Sequence, residues 1–558
     1  MRRFRSLLAL AAVALVAVAS SGVRSLGAAV GDDDATIVHV LNRTGFGPRP
    51  GDIEAVRRVG VVAYIDAQLH PERVADAAIA GRLAPFRTLG LSQEDLGRQF
   101  TLPLLAARRA QRQDTASSGR PDGPERPGQG GPNGMDGREI RQRAMTPMLE
   151  LSQQKVLRAA YSERQLQEVL TDFWFNHFNV DARKGPERFL LTSYERDVIR
   201  PRVFGTFREL LGATAKSPAM LFYLDNWLSS RPVGENERAR PAAGTRRPPA
   251  RPGLAGARPS PGVQANRPRG LNENYARELM ELHTLGVDGG YTQKDVTEVA
   301  RALTGWTIDR PRTGTGQFRF DPRLHDPGDK VVLGHHITAG GMADGEAVLD
   351  LLAAHPSTAR FIATKLARRF VSDNPPRALV ERVAARFTAT GGDLREVVRA
   401  ILTSPEFFSP DAVRAKTKSP FEFVVSAVRV TGVDLPSAQP LVREVRDLGM
   451  PLYECQPPTG YRDTAEAWTT AGALVARMNF AQQLARLRLG PASGSASLDR
   501  VSDSPASRGD GPALADAAVP DGRLLGGLSE STRAIIERAT TDAERLTLTL
   551  GSPEFQKR

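Results

Sequence analysis

LNENYARELMELHTLGVDGGYTQKDVTEVARALTGW, residues 271–306, decides how this chain is read. Residues three and four apart share one face of a helix, so Asn274, Glu278 and Glu281 form a polar stripe with Leu282 and Leu285 beside it. Glu273, Arg277 and Glu281 form an overlapping i, i+4 ladder, while Ala276, Leu279 and Met280 share the side of His283 and face inward. Thr292 with Asp295 then starts a second helix, KDVTEVARAL, which stops at Gly305.

The same helical punctuation recurs on both sides. Asp34 caps ATIVHVLNR, Ser162 with Gln165 makes a capping box for RQLQEVLTDFWFNHF, Ser357 opens TARFIATKLARRFV, and Gly392-Asp393 opens LREVVRAIL before Ser404-Pro405 ends it. These signals predict an all-α, multi-helix globular core of a dozen or more helices over residues 35–490. One small β-hairpin excursion is expected at 316–337, where Phe318 and Phe320 alternate, Pro327-Gly328 turns, and Val331 to Leu333 follow. Residues 113–138 and 229–270 carry too little apolar surface to offset their ordering entropy and read as long disordered insertions. Residues 491–521 read as a flexible linker, and 522–558 as a C-terminal helical segment packing on the core.

Arg2, Arg3 and Arg5 precede an apolar run from Ser6 to Ala19, the pattern of a secretory signal with cleavage near Ala19, at the end of 1–19. No later stretch is apolar enough to span a bilayer, so the expectation is an exported, periplasmic or extracellular protein with no transmembrane span once the signal is removed. Cys455 is the single cysteine, which excludes an intramolecular disulfide and four-cysteine zinc sites. The formal charge of +12 does not mark a nucleic-acid binder. Nine arginines against Glu235 and Glu237 lie in 229–270, and the remainder, without the signal, is close to neutral.

Three histidines sit where chemistry is conceivable. His177 lies among Phe173, Trp174, Phe175 and Phe178, an apolar setting that favours the neutral imidazole able to ligate metal or accept a proton. His283 belongs to the 271–306 block, and His325 with Asp326 lies at the hairpin turn. Each is individually consistent with a hydrogen-bonded core histidine. Glu278 and His283, five apart and about 140° around a regular helix, cannot hold one ion from the same helix. No Gly-x-Ser-x-Gly elbow, P-loop, dinucleotide fingerprint or His-Glu-x-x-His pattern is present, so any activity comes from residues that converge on folding. One reading is an enzyme in which Glu278, Asn274 and Glu281 are catalytic and His177, His283 and His325 hold a divalent metal. The rival is a non-catalytic binding or surface-assembly protein in which these groups form caps and ion pairs.

FWFNHFNV (173–180), the 271–306 block, HDPGDKVVLG (325–334), HPSTARFIATKLARRFV (355–371), GDLREVVRAILTSPEF (392–407) and KSPFEFVVSAVR (418–429) resemble, in this order, the bacterial family catalogued as domain of unknown function 1800. The resemblance implies export and, because such genes often neighbour exported proteins similar to alkaline phosphatases and sulfatases, a phosphatase/sulfatase-like partner. It implies no catalytic residues.

Overall fold

The helix signals read from the sequence become a layered array of helices in the computed structural model, which describes residues 31–118, 137–232, 270–434, 437–489 and 522–558. The expected signal at 1–19, the linker at 491–521 and most of both insertions lie outside the described residues. One continuous apolar core runs from Ile37 to Phe555 and is built from helix faces such as Ile362, Leu366 and Phe370. Leu546, Leu550 and Phe555 of the last segment belong to the same core. No helix among the described residues is long and apolar enough to cross a membrane.

Local details depart from the sequence reading by short steps. The cap of the Asp34–Thr44 helix is Asp33, which accepts from Thr36 N–H at 3.0 Å. The Pro356–Phe370 helix is capped by His355, not Ser357. The box expected from Ser162 and Gln165 does not form. Ser162 bonds Asp76, and the Gln165 amide instead donates to the Ala159 and Ser162 carbonyls. A helix runs from Leu102 to Ser118, into the first low-complexity stretch, because after Pro103 in its first turn no glycine or proline interrupts it before Gly119. Ser229 and Ser230, at the start of the second stretch, are buried, and Ser230 N–H donates to Gly270 O at 3.0 Å. The insertion therefore leaves and re-enters the fold at one point, beside Asn272.

The β excursion is two antiparallel hairpins where the sequence suggested one. β1 (Trp306–Ile308) pairs with β2 (Phe318–Phe320), and β3 (Lys330–Val332) pairs with β4 (His335–Ile337). Leu333 and Gly334, with φ of 49° and 79°, turn the second hairpin. Both central residues are left-handed, as in the tight turns that match strand twist. That Leu333 tolerates this backbone follows from its anchor, since its N–H donates to Asp295 Oδ1 at 2.7 Å. Asp295 is also the third residue of the Gln293–Ala302 helix and completes the Thr292 capping box predicted from sequence. One carboxylate thus caps the start of a helix and pins a hairpin.

Candidate functional site

The aromatic run FWFNHFN, residues 173–179, closes the Gln165–His177 helix, and its three polar members do different work. Asn176 forms a two-bond pair with the Tyr461 backbone, Nδ2 to O at 2.9 Å and Oδ1 from N–H at 2.7 Å. Asn179 Nδ2 donates to the Cys455 and Pro457 carbonyls at 2.9 and 2.8 Å. Together they hold the non-helical stretch 453–461 against the helix end. Gly460, at φ 73°, is required there because a Cβ would collide with the Asn176 carbonyl. Cys455 is buried in this stretch, and burial pushes its thiol up to about 11, so it is no thiolate nucleophile at neutral pH.

His177 is different. Its ring sits between Trp174 at 5.3 Å, Phe178 at 4.5 Å, Phe361 at 6.2 Å and His283 at 6.1 Å between centroids. Its Nε2 lies 3.1 Å from the His283 carbonyl oxygen, which can only accept, so Nε2 carries the hydrogen. Nδ1 is then the acceptor, and Lys365 Nζ donates to it at 2.8 Å. Burial, and next the charge of Lys365, hold His177 well below the usual imidazole range, so it is neutral. Lys365 is half-buried on the Pro356–Phe370 helix, its ammonium 5.5 Å from the Phe361 ring centroid. Burial lowers it from the ordinary lysine range to about 8. Among the described residues it has no ion-pair partner within 4 Å, and Asp463 opposes the shift only through its longer-range field.

The segment that supplies His283 is not a regular helix. Glu273–Glu278 is α-helical, but Leu279–Thr284 is a π turn in which Leu285 N–H reaches Met280 O at 2.7 Å. The extra residue in the turn breaks the wheel used to place Glu278 against His283. His283 is buried, burial and then Lys365 lower it to about 3, and its Nε2 has no hydrogen-bond partner. Glu281 Oε2 accepts from Tyr291 OH at 3.1 Å. Glu278 is half-buried and is raised by burial first and by Glu281 second; among the described residues it makes no hydrogen bond or ion pair. Asn274 is exposed. The expected Glu273–Arg277 pairing is replaced by a bridge, because Gln293 accepts from Arg277 at 2.7 Å and donates to Glu273 at 2.8 Å.

His325 is engaged elsewhere. Its Nδ1 lies 2.8 Å from Thr304 O and its Nε2 3.0 Å from Asp344 Oδ2, which also accepts from the fully buried Lys330 at 2.5 Å. This network fastens the hairpins to the Met342–Ala354 helix. The structure therefore brings His177 and His283 together, adds Lys365, and leaves His325 in a separate network. Among the described residues no group of three or more His, Cys, Asp or Glu is placed to hold a metal ion. Lys365 was missed by sequence reasoning because TARFIATKLARRF reads as an amphipathic helix with a cationic face. Its one distinguishing sign is Phe361 four residues earlier, which shares its side.

Residues 39–557 match the model of a family described as protein of unknown function (DUF1800). No curated protein matches the chain, and no solved structure does.

Proposed function

Taking as premise that the chain belongs to the DUF1800 family, we propose that it is an exported enzyme whose general acid–base centre is the Lys365–His177 pair. The observation that carries this reading is the 2.8 Å contact between Lys365 Nζ and the neutral Nδ1 of His177. An ammonium held near 8 gives up a proton far more readily than an ordinary lysine. When it does, the remaining amine keeps an N–H for His177 Nδ1, so the contact survives in both protonation states, and the lone pair is left for a substrate. An amine of this kind suits substrates with a carbonyl or another group that gains or loses a proton. Glu278, whose carboxyl is held up by burial, is the proposed second proton carrier, with Glu281 and Asn274 as polar groups beside it on the same segment. Export is supported by Arg2, Arg3 and Arg5 before the apolar run to Ala19. His177 is not proposed as a metal ligand, because both ring nitrogens are hydrogen-bonded.

Incubating the full chain with glyoxylate and cyanoborohydride at pH 8, then mapping the reduced adduct by mass spectrometry, tests this. The reading predicts Lys365 as the dominant labelled lysine, ahead of the exposed Lys294. Labelling ordered by exposure alone removes it.

A further inference from the structure

The Asp34–Thr44 helix, the Pro420–Thr431 helix and the last turn, Pro553–Gln556, enclose a cavity of about 30 Å³, walled in part by His39, Arg414, Lys418, Ser426, Lys557 and Arg558. That space admits two waters or one tetrahedral ion. Its wall carries three cationic side chains, Arg414, Lys557 and Arg558, and the Lys418 amine, which burial lowers to about 7, against one carboxylate, Glu554, whose oxygens accept from Ser529 N–H and the Thr532 hydroxyl.

The excess of positive charge continues behind the wall. Arg43, Arg369, Arg477, Arg558 and Lys418 are all buried; the carboxylate set among them is Glu422, with Asp463 and Asp373 acting on them from farther off. Glu422 Oε1 lies 2.7 Å from Arg369 Nη1 and 3.0 Å from Arg558 Nε. Donors are left over: Nε and Nη1 of Arg43, Nε and Nη2 of Arg369, and Nη2 of Arg558 have no hydrogen-bond partner. Lys418 Nζ has a hydroxyl, Ser426 Oγ at 2.7 Å, and the face of Phe555 at 3.9 Å. Buried cations in such surplus call for an anion.

One residue of the same wall, His39, carries an acceptor without a donor. His39 Nε2 lies 2.8 Å from Phe407 O and must carry the ring hydrogen, so Nδ1, which has no partner, is a bare lone pair. Burial, and then Arg43, lower this imidazole to about 3, which keeps it neutral. A ligand that satisfies the wall needs several acceptor oxygens for Arg558 and Lys418 and one O–H for His39.

We propose that this cavity binds inorganic hydrogen phosphate, its oxygens accepting from Arg558 and Lys418 and its hydroxyl donating to His39 Nδ1. Sulfate has the same shape and no proton to give. A phosphate monoester has lost its last proton by pH 7.5, its second pKa being about 6. Inorganic phosphate alone of the three is both an anion and a donor there.

Calorimetric titration of the full chain, prepared free of phosphate, with inorganic phosphate, sulfate and methyl phosphate at pH 7.5 tests this. Phosphate should bind at least about tenfold more tightly than either of the others, and His39→Phe should bring phosphate and sulfate to near parity. No heat with phosphate up to about 10 mM, or equal affinity for sulfate, overturns the proposal. The wild-type comparison decides the matter even where the variant does not fold.

Discussion

Lys365 and His177 are 188 positions apart, yet the only nitrogen of His177 able to accept a hydrogen bond is the one that Lys365 reaches, at 2.8 Å. The His283 carbonyl fixes that choice by occupying Nε2. A backbone group thus sets a tautomer, and the tautomer sets the partner of a lowered amine.

Lys365→Met is predicted to stabilise the protein while removing its reactivity. A half-buried ammonium without a bound carboxylate is unfavourable, and an apolar side chain of similar length relieves it, offset by the lost bond to His177. The net gain should be about 1–2 kcal/mol at pH 7. The sign follows from linkage. The folded amine titrates near 8 and the unfolded one near 10.5, so the unfolded chain holds more protons between these values and wild-type stability rises across that window. Chemical denaturation at pH 7 and at pH 10 should show the advantage of the variant shrinking as pH rises.

Asp344→Asn is predicted to destabilise by about 3–5 kcal/mol, because it leaves Lys330, which is fully buried, with only the more distant carboxylate of Asp326, at 3.9 Å. Burial opposes the ionised form of Asp344, but Lys330, the Gly340 N–H and His325 together hold its carboxyl below the usual range. Its contribution to stability is therefore present above about pH 4 and is lost as pH falls through the lowered folded value. The reactivity of Lys365 should be unchanged in whatever fraction of this variant remains folded, which labelling in native buffer measures.

Glu422→Gln should be among the most damaging single changes. Burial alone would raise this carboxyl, yet Arg369 and then Arg558 draw it down to about 2, so its contribution holds above about pH 4.5 and fades as pH falls toward 2. A loss of about 3–5 kcal/mol in urea denaturation at pH 7 is expected.

Much of this fold was legible because it depends on neighbours in sequence. Thr292 with Asp295, and Asp393 before LREVVRAIL, cap their helices as the residue types demand. The misreadings share a cause. The partners of Ser162 and Gln165 include Asp76, which no local rule supplies. The π turn at 279–284 carries no residue signature, so a regular wheel does not give the angle between Glu278 and His283. The two hairpins were merged because Pro327-Gly328 is a stronger turn signal than Leu333-Gly334, which turns only with the grip of Asp295. At the site, the histidines were visible as polar groups in apolar frames. Lys365 was not, since its proton affinity is set by His177 and the enclosing helices, not by the cationic helix it sits on.

Asn176→Ala should free the 453–461 stretch from the Gln165–His177 helix by removing two bonds to Tyr461. Faster amide exchange in that stretch, with a loss of about 1–3 kcal/mol in global stability, is the expected result.

The central claim, that Lys365 is a lowered amine poised by a neutral imidazole, is tested most directly by competitive acetylation of the native chain across pH 6 to 11, read at Lys365 by mass spectrometry. A midpoint near 8 is predicted, well below the ordinary lysine value of 10.5. A midpoint at Lys365 near the ordinary 10.5 would contradict it.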